Sequence, residues 1–104
     1  MALTPVLDAL ADPTRRAVVD RLARGEATMG ALAEAHPMSL PAFSKHVRVL
    51  VEAGLVRRRK EGRTVVCSLR TEPLDEVAAW VADVTSYWTA TLDRLERLVT
   101  EEDA

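Results

Sequence analysis

The 104-residue chain reads as a mainly α-helical domain with one small β-hairpin. Three observations carry that reading. Apolar residues recur at three- and four-residue spacing in five stretches, most of them opened by a capping residue or closed by Gly or Pro. One further stretch, residues 55–70, alternates with period two about Glu61-Gly62 and is rich in Val, Thr and Arg. The composition is 48% hydrophobic and 29% charged, too apolar for disorder, but aromatic residues are only 4%, so the core must be aliphatic.

The first helix is expected over Thr4 to Leu10. Thr4 can cap it, Pro5 suits its first position, and Leu3, Val6, Leu7 and Leu10 form its stripe. Asp12-Pro13 opens a second helix, Thr14 to Arg24, with Gly25 at its C-terminal cap. Thr28 opens a third, which runs to about Ala35 with Met29, Leu32 and Ala35 inward and is stopped by His36-Pro37. Ser39 caps a fourth, with Pro41 in its first turn and Gly54 at its end. One side of that wheel holds Leu40, Phe43, Val47, Leu50 and Val51. The other holds Pro41, Ala42, Lys45, Arg48 and Val49, with Ser44 and His46 at the margins. In the second arm of the hairpin, Val65, Cys67 and Leu69 share one face. In the first arm Arg58 and Lys60 share one side, and Arg57 and Arg59 the other. Thr71 caps a last helix that runs to about Val99. At about 1.5 Å per residue it is roughly 39 Å long. Residues 1–100 are expected to form one domain, and 101–104 a frayed acidic tail.

The net charge of −2 hides an uneven distribution. Residues 41–70 hold eight basic side chains against Glu52 and Glu61, a net +6, between flanks of −1 and −7. A cationic middle third suits a polyanion, although a solvated basic hairpin that binds nothing has the same charge. Of the 14 basic residues 12 are Arg, whose planar fork matches phosphate oxygens and the guanine edge. The longest apolar runs are too short to span a membrane. A single cysteine excludes an internal disulfide and a thiolate metal cluster, and Met1 to Leu10 carries no basic stretch of a secretion signal, so a reducing cytoplasm is the expected location. No Ser/His/Asp or Cys/His set and no glycine-rich phosphate loop supports an enzyme.

A short helix, a four-residue turn, a second helix with a basic outer face and a basic hairpin make a winged helix-turn-helix of five helices and a two-stranded wing. Such a helix, about 10–12 Å across, fits the major groove of double-stranded DNA. The expected DNA-contacting residues are Ser39, Pro41, Ala42, Ser44, Lys45, His46 and Arg48 on the helix, and Arg58, Lys60 and Arg63 on the wing. His46 reads either as a DNA contact or as a helix-packing residue. Arg15 and Arg16 read either as phosphate contacts or as partners of Asp12 or Asp20. His36 is expected in solvent. Cys67 reads as a small buried hydrophobe, with a redox switch as the alternative.

Residues 8–70, through "LADPTRRAVVDRL", "MSLPAFSKHVRVLVEAGLV" and "RRRKEGR", resemble the ArsR family of winged-helix repressors. The resemblance implies a bacterial DNA-binding regulator, usually a repressor, with first and last helices that pair in a dimer. Metal-sensing members carry a Cys pair in the third helix and His/Asp sets in the last. Here the third helix reads "ATMGALAEAH" and the last has neither His nor Cys, so the chain resembles the branch that senses no metal, and no cofactor is expected. No residue identifies an effector.

The last helix carries Leu74, Val77, Val81, Val84, Trp88, Leu92, Leu95 and Val99, a near-heptad seam, with Trp80 and Tyr87 beside it. It is longer than the roughly 33 Å diameter expected of a chain this size. A homodimer through Leu3, Val6, Leu7, Val77, Trp80, Val81, Val84, Trp88, Leu92 and Leu95 would cover that surface. Two modules related by a twofold axis would read an inverted-repeat operator. The alternative is a winged-helix module for protein–protein contact, an anti-activator without DNA readout, which a salt titration of DNA binding separates.

Overall fold

A computed structural model describes residues 3–103. Their order is α1 (Leu3–Leu10), α2 (Pro13–Leu22), β1 (Ala27–Thr28), α3 (Met29–Glu34), α4 (Leu40–Glu52), β2 (Val56–Glu61), β3 (Thr64–Leu69) and α5 (Glu72–Asp103). The five helices and the hairpin stand where the periodicity puts them, but the sheet has three antiparallel strands in the order β1-β3-β2. Ala27 pairs with Cys67 and Thr28 with Val66, occupying the outer edge of β3. A two-residue strand is too short for any alternation to announce it.

Capping side chains start three of the helices. The Asp12 carboxylate accepts the Arg15 N–H at 3.1 Å before α2, Thr28 Oγ1 accepts the Ala31 N–H at 3.1 Å before α3, and Ser39 Oγ accepts the Ala42 N–H at 3.3 Å before α4. Thr4 does not cap α1, because Leu3 is already helical. α4 ends in two backbone bonds: Leu55 N–H to Leu50 O at 2.9 Å and Gly54 N–H to Val51 O at 3.0 Å. That Schellman closure puts Gly54 at φ +79°, which a side chain resists. It also turns Leu55 back into the core, so β2 leaves α4 in a defined direction. At the wing tip Glu61 pairs with Thr64, leaving a two-residue turn with Gly62 first at φ +63°.

The core lies where α1, α2, α3 and α4 meet the hairpin. Val6, Val18, Phe43, Val47, Leu50, Leu55 and Cys67 are fully buried there. Phe43 is its one aromatic; the two Trp and the Tyr stand exposed on α5. Val6 therefore belongs to this core and not to a dimer interface: one face of the short α1 is already used against the body, and Val6 and Ala9 are on it. Val77 also packs in part against its own core, with Leu74. Leu40, expected inward, is 61% exposed, because it opens α4 before the helix reaches the body. His36 stacks on Phe43, ring centroids 5.3 Å apart, and is not simply solvated.

α5 is assigned as far as Asp103; Ala104 lies outside the described residues. No Gly or Pro follows Pro73 to stop it. At 32 residues it is about 48 Å long. No helix among the described residues is long and apolar enough to cross a membrane.

Candidate nucleic-acid interface

Burial on one side of α4 sets what its other side presents. Phe43, Val47 and Leu50, spaced by four and three residues, anchor the helix. Lys45 and Arg48 then face solvent, with Pro41 and the capping Ser39 also exposed, and Ala42, Ser44 and His46 half-buried beside them. Arg15, Ser39, Pro41, Ala42, Lys45, His46 and Val49 line one open cleft of about 450 Å³. Five of the expected contact residues thus share one concavity, and Arg15 joins them from α2. Arg48 and Ser44 lie outside it.

Arg15 and Arg16 make no ion pair with Asp12 or Asp20. Arg15 donates through Nε to Ala9 O at 2.7 Å and through Nη2 to Asp8 O at 3.1 Å; Arg16 Nη1 donates to Leu10 O at 2.7 Å. These are last-turn carbonyls of α1, of which Asp8 O also accepts the Ala11 N–H at 3.1 Å. The third guanidinium nitrogen of Arg15, Nη1, lies 3.2 Å from His46 Nδ1. Asp12 Oδ2 stands 3.6 Å from the same ring nitrogen. The backbone hydrogen bond from Arg15, aided by the nearby charges of His46 and Arg15, holds the Asp12 carboxyl below its ordinary pKa, with partial desolvation opposing. Nothing in the sequence pattern distinguished this role of Arg15 from a phosphate contact.

On the wing, strand register separates the basic residues by face. Arg58 stands opposite Cys67 and Lys60 opposite Val65, whereas Arg57 and Arg59 stand opposite Ser68 and Val66. Arg59 is tied down. It pairs with Glu26 from the α2–β1 loop and, at 3.0 Å, with Glu61 on its own strand. The two carboxylates push its pKa above the ordinary arginine value, and its hydrogen bond pulls that of Glu26 down. Arg58, Lys60 and Arg63 are exposed and, like Lys45 and Arg48, form no ion pair among the described residues. Arg58 lines a second depression with Arg57, Arg70, Val51, Gly54 and Val56, where the end of α4 meets the root of the wing. The candidate interface is therefore in two parts, a cleft at the start of α4 and a basic strip along β2. The described residues group no three His, Cys, Asp or Glu in a metal-holding arrangement.

A family profile described as a helix-turn-helix domain matches residues 10–59. The HTH-type transcriptional regulator Rv2034 of Mycobacterium tuberculosis is 43% identical over 94 residues, which cover 90% of this chain and 85% of that protein. Among solved structures, an ArsR family transcriptional regulator, RHA00566, superposes with a TM-score of 0.81 at 44% identity, covering 85% of this chain and 91% of that one. The homodimeric winged helix-turn-helix DNA-binding domain of Mb0332 from Mycobacterium bovis superposes with a TM-score of 0.65 at 32% identity, covering 82% and 79%.

Proposed function

Because the chain belongs to the ArsR family of helix-turn-helix transcriptional regulators, we propose that it acts in the cytoplasm as a homodimeric repressor on an inverted-repeat operator. The observation that carries the proposal is the sorting of charge. Among the described residues, the cations of the α4 outer face and the wing residues Arg57, Arg58, Lys60 and Arg63 form no ion pair, while Arg15, Arg16 and Arg59 are consumed by structural contacts. Unpaired, exposed cations on a groove-sized helix and an adjacent ribbon are what duplex phosphates and base edges require.

On this reading α4 enters the major groove. Lys45, His46 and Arg48 reach base edges or phosphates, and Ser39, Pro41, Ala42 and Ser44 allow close approach at the leading end of the helix. Arg58, Lys60 and Arg63 lie along the flanking backbone. The second copy docks through the exposed face of α5, from Trp80 to Leu95, with Leu3 and Leu7 of α1 at its edge. The homodimeric state of Mb0332 supports a dimer. Two modules multiply a weak single-site affinity and place the recognition helices about one DNA turn apart. Repression follows from occupancy, since a dimer across promoter DNA excludes polymerase.

Selection of random duplexes by the purified protein tests the proposal. The expected result is an enriched inverted repeat, bound with a steep inverse dependence on salt. Failure to enrich any sequence, with no shift of promoter fragments at low salt, would replace it by the protein-binding alternative.

A further inference from the structure

The Arg15 guanidinium is clamped by α1 and aimed at the recognition helix, and helix capping explains only two of its three nitrogens. Nε and Nη2 hold Ala9 O at 2.7 Å and Asp8 O at 3.1 Å, which fixes the plane of the group. Nη1 is thereby set 3.2 Å from His46 Nδ1. A guanidinium has donors and no acceptor. The ring nitrogen facing it must offer a lone pair, so in the neutral imidazole the proton resides on Nε2. The competing influence is Asp12, which would favour a proton on Nδ1. Its Oδ2 lies at 3.6 Å, beyond hydrogen-bond range, and already accepts the Arg15 backbone N–H at 3.1 Å. Arg15 therefore prevails. His46 Nε2 bonds to no group among the described residues, and the ring lines the open cleft beside Lys45.

We propose that Arg15 is a positioning residue that fixes the tautomer of His46, so that α4 presents an Nε2–H donor to a hydrogen-bond acceptor on DNA. The proposal rests on α4 being the DNA-reading helix. An N–H donor pairs with a phosphate oxygen, N7 of guanine or adenine, guanine O6 or thymine O4, and is not matched by the amino groups of adenine and cytosine. The end of α1, which borders the face assigned to the second copy, is thereby linked through one side chain to what α4 can read.

Long-range proton–nitrogen NMR of the full-length free protein at about pH 8, where an ordinary imidazole is neutral, tests the tautomer directly. The expected spectrum shows His46 protonated at Nε2. Arg15→Met moves the proton toward Nδ1, and Arg15→Lys, which keeps a charged donor, restores it. Nδ1–H in the wild type, or no change in Arg15→Met, overturns the assignment. Two variants that leave Arg15 in place guard against loss of the α1 cap. The amide nitrogen of His46→Gln reaches the Nε2 position and should keep affinity for the selected operator within about threefold, whereas His46→Asn, whose amide sits at the Nδ1 position, should lose about tenfold or more. Equal losses overturn the donor role. Methylphosphonate, 7-deazaguanine and 7-deazaadenine substitutions then separate the acceptors, since the one that abolishes the Gln/Asn difference marks a phosphate oxygen or the N7 of that purine; if none does so, the acceptor is guanine O6 or thymine O4. A wild type that binds no DNA overturns the functional reading and the target of the donor together. Nδ1–H in a protein that does bind overturns the tautomer alone.

Discussion

Cys67 shows how a residue's surroundings choose between two chemistries that its identity leaves open. It is fully buried on β3, with Ala27 and Arg58 as its cross-strand neighbours. Burial raises its thiol pKa, only partly offset by the charge of Arg58, so the reactive thiolate is scarce. Thiol reagents should label native Cys67 no faster than the protein unfolds, and labelling should rise in step with urea unfolding. Rapid labelling of the native protein would restore the redox alternative. Glu26 is the second case. The Arg59 hydrogen bond lowers its folded pKa below the ordinary 4.5, so the pair contributes stability above that pH and loses it as the pH falls through the folded value. Both partners are half exposed and screened by water, so the effect is small. Glu26→Gln should slightly lower the melting temperature at pH 7 and flatten its decline on acidification below about pH 4.5. A decline as steep as that of the wild type would show that the pair carries no acid sensitivity. Residue identities alone mark Glu26 and Arg59 as solvated charges; the loop that brings them together across 33 positions is a tertiary event.

At the scale of elements, caps and periodicity predict most boundaries because both are local. Asp12, Thr28 and Ser39 bond to N–H groups three residues away, and Gly54 closes α4 on its own last turn. The wing faces are legible for the same reason, since a strand alternates whatever it packs against. Which wing charges remain available is not local. Arg58 and Arg59 are adjacent and chemically identical, yet one is unpaired and the other bound to two carboxylates. This gives an asymmetric prediction. Replacing Arg58, Lys60 and Arg63 by Ala should weaken binding to all duplexes and reduce the slope of log K against log salt by about 0.9 for each phosphate that is no longer neutralised. Arg59→Ala should leave the slope unchanged and lower stability instead. Equal effects of the two sets on the slope would refute the division of the wing.

The whole molecule is far more extended than its length requires. Its radius of gyration is 19.8 Å, against about 13 Å for a compact chain of this size. The cause is α5, which carries the long axis to 73 Å. Its first turns, at Pro73, Leu74 and Val77, are partly buried against the body; from Ala78 to Glu101 every residue is exposed. Trp80, Val81, Val84, Trp88, Leu92, Leu95, Leu98 and Val99 stay between 46% and 61% accessible, more apolar surface than an isolated protomer leaves to water. Sedimentation equilibrium should find dimers at micromolar concentration. Trp88→Glu with Leu92→Glu should yield monomers that bind operator DNA at least about tenfold more weakly, because each then holds one half-site. Wild-type monomers at that concentration would remove the twofold reading of the operator.

The order of elements, their caps, the aliphatic core and the cationic middle third follow from the amino-acid sequence by itself, because each arises from neighbours within a turn or two of chain or from composition. Four things were decided only by the tertiary structure: the third strand, the burial of Val6, the pairing of Arg59 with Glu26, and the hold of Arg15 on His46. Each depends on groups distant in sequence meeting at a distance and angle that no spacing rule encodes. A stripe of apolar residues says that a helix has an inside; only the packed chain says which residues of that stripe its own core has already taken.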